Sequence, residues 1–174
     1  MKVKDRELFI RYAIPCAGTL VQRGSTTQEV VDDLINRISE SRELPENIEN
    51  MFKVALAMCT LLAKKENKDE IDADIIRKYF LVEHDEIIEK RYKEMGDFDP
   101  EKCRTYPGQV IEMKEKTVIL KTPKEEKEYK NILIPNLKTG DLVITHWGFV
   151  AEKTDIETAK KILKIKNISE DFFD

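Results

Sequence analysis

Cys103 and His146 are the residues of this sequence best suited to chemistry. Cys103 stands between Lys102 and Arg104. Two adjacent cations favour the thiolate, the form of the side chain that binds a metal or attacks an electrophile. His146 closes a β-type run and is followed by Trp147-Gly148-Phe149, which reads as a tight reversal. A histidine so placed presents a neutral ring nitrogen as a ligand, or a hydrogen bond to whatever a thiolate holds. Thiol enzymes use the same two residue types as nucleophile and base. Here no orienting acid or oxyanion device accompanies them. Residue type alone also leaves open an idle thiol and an ordinary turn histidine.

The remaining soft or titratable residues read as structural. Three cysteines cannot all pair and none forms a CxxC, so neither a disulfide framework nor a closed zinc site is implied. Cys16 and Cys59 fall in apolar helical stripes and read as small buried hydrophobes. His84, in Glu83-His84-Asp85-Glu86, reads as a solvated helix start. Trp147 fits an interface anchor or a core residue equally well. The sequence has no Gly-rich phosphate loop, HExxH, GxSxG or paired-Asp motif.

Two kinds of element must position Cys103 and His146. The first 95 or so residues carry helical periodicity, beginning with the stripe Leu8, Phe9, Tyr12, Ala13 and Cys16. Pro15 should break that helix, because it removes an amide donor and crowds the preceding turn. Thr26-Thr27-Gln28-Glu29 matches a capping box with Thr26 as the cap, opening a helix with Val30, Val31, Leu34, Ile35 and Ile38. Pro45 suits the first turn of a third helix that buries Phe52, Ala55, Leu56, Cys59, Leu62 and Ala63. Asp72 to Val82 and Asp85 to Met95 follow as two more, the last with Glu86/Lys90 and Glu89/Lys93 as outer pairs.

Gly96-Asp97-Phe98-Asp99-Pro100 is the expected linker, after which the period changes from helix to strand. Short β-type runs at 109–113, 117–120, 129–134, 142–144 and 149–151 predict an antiparallel barrel, with Lys121 to Lys130 as a solvated hairpin. Thr154-Asp155-Ile156-Glu157 opens a final helix with Ile156, Ala159, Ile162 and Leu163 inward. The expected class is α+β: an all-helical domain over 1–96, then over 97–174 a small OB-like antiparallel β-barrel with a C-terminal helix.

Composition narrows the function classes. In 174 residues, 30 Lys and Arg face 34 Asp and Glu, a net charge of −4, with 41% hydrophobic and 37% charged residues. This excludes wholesale disorder and repeat-type fibrous chains. No apolar run approaches the ~18 residues that a membrane helix requires, and the first residues lack a signal-peptide core. No membrane association is expected, and the expected address is the cytoplasm. An acidic balance with interspersed signs argues against a nucleic-acid partner, which asks for a basic face.

The order of residues around the two chemical side chains is more specific. Cys103-Arg104-Thr105-Tyr106-Pro107-Gly108-Gln109-Val110, followed by Lys138-Thr139-Gly140-Asp141-Leu142-Val143-Ile144-Thr145-His146-Trp147-Gly148-Phe149-Val150-Ala151-Glu152-Lys153, resembles the HypC/HupF family of hydrogenase-assembly chaperones. The likeness extends from Cys103 to about Leu163, and the 95 or so residues of the helical region stand outside it. In members of that family the cysteine becomes the chain start. Here it is internal, and Arg104-Thr105-Tyr106 replaces an apolar triplet.

The resemblance implies a non-enzymatic chaperone with an OB-like barrel. It would handle iron carrying cyanide and carbon monoxide, working with a HypD-like scaffold protein and then with the hydrogenase large-subunit precursor. Carried over by position, Cys103 is the essential thiolate and His146 the second metal-handling side chain. Pro107 and Gly108 would shape the start of the first strand, while Trp147, Gly148 and Phe149 would form the reversal and a binding surface. Low-spin iron accepts thiolate and imidazole donors, and one of each leaves coordination positions for another protein, as transfer requires. Both side chains are therefore expected at one solvent-facing edge of the barrel. The alternative is a small-barrel module that docks a partner or a single nucleic-acid strand and no longer carries metal.

Overall fold

A computed structural model describes residues 1–92 and 99–173 of the protein. It divides into two compact units, Met1–Phe80 and Leu81–Asp174.

The first unit is helical, with one minimal parallel ladder between β1 (Lys2–Val3) and β2 (Glu70–Ile71). Helix α1 (Arg6–Ala13) turns Phe9, Ile10, Tyr12 and Ala13 inward. At Pro15 it gives way to a 3-10 turn, Ile14–Cys16, before α2 (Ala17–Gln22). This is the interruption a missing amide hydrogen demands. Helix α3 (Gln28–Ser39) is capped one residue later than the sequence implies: the Thr27 hydroxyl, in place of Thr26, accepts from the Val30 amide at 3.4 Å. Helix α4 (Lys53–Lys65) begins well past Pro45, because Asn47 takes a left-handed conformation (φ 57°) and a 3-10 turn follows over Ile48–Phe52. Cys59, Leu62 and Ala63 form its buried face. The Asp72 carboxylate caps α5 (Ala73–Lys78) by accepting from the Ile75 amide at 3.1 Å. The helices close on an aromatic cluster in which Tyr12 stacks on Phe80 at 5.1 Å and Phe9 meets Phe52 edge-on at 6.4 Å. Cys59 is buried as expected, whereas Cys16 is only half-buried.

The second unit starts with α6 (His84–Tyr92), which packs against the single turn α7 (Pro100–Cys103). That packing places the division at Phe80/Leu81, ahead of the boundary expected near 96. Of the expected linker, Gly96, Asp97 and Phe98 lie outside the described residues, as does Lys93 of the pair Glu89/Lys93. Asp99 caps α7, its carboxylate accepting from the Glu101 amide at 3.1 Å, and Pro100 stands in the first turn.

Five strands follow: β3 (Thr105–Met113), β4 (Thr117–Lys121), β5 (Glu126–Lys130), β6 (Leu142–His146) and β7 (Phe149–Thr154). They close in the order β3-β4-β5-β7-β6, with β3 returning to β6. All pairings are antiparallel except the contact of Lys130 with Phe149 between β5 and β7. Strand β3 makes closure possible. Its first half pairs with β6 and its second half with β4, and a register shift between Val110 and Glu112 bends the second half. Gly108 lies in this strand, where an added Cβ would meet Thr122 Cγ2 at 3.2 Å and the Lys121 carbonyl at 3.3 Å. Val110, Val118, Leu120, Val143 and Val150 are buried, as are Ala159, Ile162 and Leu163 of the final helix, α8 (Ile156–Ile165). Ile156 differs from expectation: it is 43% exposed. Asp155 caps this helix, its carboxylate accepting from the Thr158 amide at 2.8 Å.

The third strand is displaced from its expected position. It runs over Glu126–Lys130, inside the stretch read as a solvated hairpin, while Leu133 and Ile134 reach the core from a turn. Only Tyr129 of β5 is buried, so its exposed Glu and Lys residues hide the strand in the sequence.

Candidate functional site

Strand pairing accounts for the meeting of the two chemical side chains. Cys103 ends α7, two residues before β3 starts, and His146 is the last residue of β6. The antiparallel register of β3 and β6 sets Thr105 opposite His146, which carries Cys103 to the same end of the ladder. The thiol Sγ lies 3.6 Å from His146 Nε2. On the other side of His146 the chain reverses through Trp147 and Gly148, both with positive φ (45° and 76°), before Phe149 pairs back with His146. Two consecutive positive φ values fit the two-residue hairpin whose twist matches the flanking strands.

A third side chain joins them. His84, the first residue of α6, places Nε2 4.0 Å from Cys103 Sγ, and its ring stands perpendicular to that of His146 with centroids 5.0 Å apart. The expectation of a solvated helix start is therefore wrong: His84 is 5% exposed. Helix α6 packs on α7, and this packing turns the first residue of α6 toward the thiol. No local motif links positions 84 and 103. The available signal was the histidine count, since the chain has two histidines and both are here.

The expected solvent-facing edge is also corrected. Cys103 is 2% exposed and His146 0%, because α7 and β6 both present these residues on their inward faces. Of the two cations meant to favour the thiolate, Arg104 is engaged elsewhere. Arg104 pairs with Glu89 and with Glu101, the latter at 3.1 Å. The Tyr106 hydroxyl donates to Glu101 at 3.1 Å, and burial together with that carboxylate pushes its ionisation up to about 12. Behind His84, an Asp85 oxygen lies 4.0 Å from Nδ1 and the other is 2.5 Å from Lys166 Nζ. Burial holds the Lys166 ammonium below its usual range, with Asp85 opposing that shift.

The other expected site residues separate into two groups. Pro107 and Gly108 are buried in the barrel wall, opposite Ile144 and Val143. Trp147, Gly148 and Phe149 are half-buried beside His146, with Lys130 Nζ 5.0 Å from the centre of the Phe149 ring.

The site thus belongs to a small closed barrel that carries a thiol and an imidazole at one end of its β3–β6 ladder. Residues 103–165 match a model of the HupF/HypC family, so the C-terminal part of the chain is HupF/HypC-like, from Cys103 itself to the last residue of α8. His84 lies outside the match. No curated relative matches the chain. Among the described residues, no helix is long and apolar enough to cross a membrane.

Proposed function

We propose that this protein is a hydrogenase-maturation chaperone of the HypC kind. The Cys103 thiolate and the His146 imidazole take up iron that carries cyanide and carbon monoxide as cargo. A HypD-like scaffold protein supplies that cargo, and the hydrogenase large-subunit precursor receives it, in the cytoplasm. The single observation that supports this most strongly is the 3.6 Å approach of thiol and ring nitrogen at the head of the segment with the family match. We read the barrel as OB-like, from its closed order and the parallel contact of its third and fifth strands.

Cargo must reach a buried sulfur. The element best placed to yield is α7, a single turn whose Glu101 and Lys102 are exposed. One turn carries little of its own stability, so local opening costs a fraction of global unfolding. The hairpin Trp147–Phe149, beside His146 and half-buried, then serves as a docking edge for the partner.

The same burial favours a second reading, in which the barrel docks a partner without taking cargo. The two separate in an affinity capture with tagged full-length protein, under reducing anaerobic conditions, from cells that assemble nickel-iron hydrogenase. The chaperone predicts retention of a HypD-like scaffold and of the large-subunit precursor, with the precursor lost in Cys103→Ala. Equal retention of both by Cys103→Ala leaves docking alone. Retention of neither by the unaltered protein contradicts both.

A further inference from the structure

Cys103, His146 and His84 are more than a cargo-handling pair and a neighbour. We infer that they supply three donors, one sulfur and two nitrogens, to a divalent ion of borderline softness such as Zn2+ or Fe2+, held without cyanide or carbonyl ligands. The inference rests on Cys103 and His146 being metal donors, as proposed above, and adds His84 from outside the family match.

The separations are those of ligands around one ion. Tetrahedral coordination with metal–sulfur near 2.3 Å and metal–nitrogen near 2.05 Å puts sulfur and nitrogen about 3.6 Å apart. The two observed Sγ–Nε2 distances are 3.6 and 4.0 Å. The donor atoms of all three residues lie within 4.8 Å of one another. The two sulfur–nitrogen distances need only tenths of an ångström of contraction to share an ion. The perpendicular rings (89°) each aim Nε2 at the same sulfur, an arrangement that suits convergence on a common centre. Histidines that bind metals commonly have a carboxylate behind the far ring nitrogen. Asp85 stands there, 4.0 Å from His84 Nδ1, anchored by Lys166. Two imidazoles and a thiolate match the donor preferences of zinc and ferrous iron over those of magnesium or calcium.

Burial gives the consequence. A site whose three donors are 5% exposed or less exchanges its ion slowly. The ion is retained through desalting, and it ties α6, α7 and β6 together.

The test uses full-length protein, reduced, stripped with a chelator and titrated anaerobically with Co2+ as the probe. The unaltered protein should take up one equivalent, with a near-ultraviolet sulfur-to-cobalt band and the strong visible bands of a four-coordinate ion. His84→Ala should weaken binding by at least about tenfold, since loss of even an outer partner costs that much. His84→Cys should restore binding and intensify the sulfur-to-cobalt band, because a second thiolate joins. A histidine that only packs would leave affinity and spectrum unchanged in His84→Ala and add no band in His84→Cys. Either result overturns the inference while leaving the cargo proposal standing. Failure of the unaltered protein to bind cobalt overturns the inference together with the donor role of Cys103 and His146. Where His84→Ala does not fold, the His84→Cys spectrum decides.

Discussion

A thiol 3.6 Å from one imidazole and 4.0 Å from another is held there by residues that do not themselves meet the sulfur. Lys166 is the clearest of these, because its side chain is 8% exposed and its ammonium lies 2.5 Å from Asp85, next in sequence to His84. Lys166→Met should cost about 2–3 kcal/mol in urea unfolding, since it leaves a largely buried carboxylate without its cation, whereas Lys166→Met with Asp85→Leu should recover most of that loss. The ammonium is also expected to leave a signature at high pH. Its folded ionisation is shifted below the unfolded value by burial, so the unfolded chain binds more protons between the two. Stability should therefore rise as pH climbs through the folded value towards the ordinary lysine range. Lys166→Met should abolish that rise, and an unchanged alkaline slope would show that the burial assigned to this side chain is wrong.

Elements transmit these positions through two glycines that act by different physics. At Gly148, φ is +76° and a Cβ would meet nothing within 4 Å, so Gly148→Ala pays only for left-handed backbone, about 1 kcal/mol. Gly108 has an ordinary φ, but a Cβ there presses on Thr122 and the Lys121 carbonyl. Gly108→Ala should cost about 1–3 kcal/mol by overpacking. Urea midpoints of the two variants check both values, and a free substitution at Gly108 would place β3 farther from β4 than it is here. Legibility in the sequence follows the same line between local and non-local causes. The Pro15 break and the Trp147–Gly148 reversal depend on one or two neighbouring residues, and both could be read, whereas the cap of α8 falls on Asp155, one residue after the Thr154 that the capping box implies. Strand β5 could not be read, because burial of Tyr129 alone gives no alternation. The cap at Thr27 was misplaced by one residue because two threonines in a row offer the same hydroxyl. His84 was missed because its place depends on how α6 packs against α7, a contact with no local sequence pattern. The closeness of Cys103 and His146 was legible only through residue order. Their burial was not, since the face a strand end turns inward is decided by the closed ring.

At the scale of the whole molecule, two units carry separate carboxylates held below their usual range. Asp72 accepts from Lys68 in the first unit, and Asp141 is lowered chiefly by its hydrogen bond with Lys153 in the second. A carboxylate depressed in the folded state stabilises fully above its unfolded value, about 3.9, and loses that contribution as pH falls through the folded one. Urea midpoints should therefore drop between about pH 5 and about pH 3, less steeply in Asp72→Asn and Asp141→Asn. The role proposed for the molecule as a whole is decided by what its barrel carries out of the cell. Infrared spectra of full-length protein, produced together with the hydrogenase-maturation proteins and purified anaerobically, read that cargo directly. Cyanide and carbonyl stretching bands should accompany the unaltered protein and vanish in Cys103→Ala, while circular dichroism shows that the variant remains folded. Bands that persist at full strength without the Cys103 sulfur would contradict the cargo assignment at its centre.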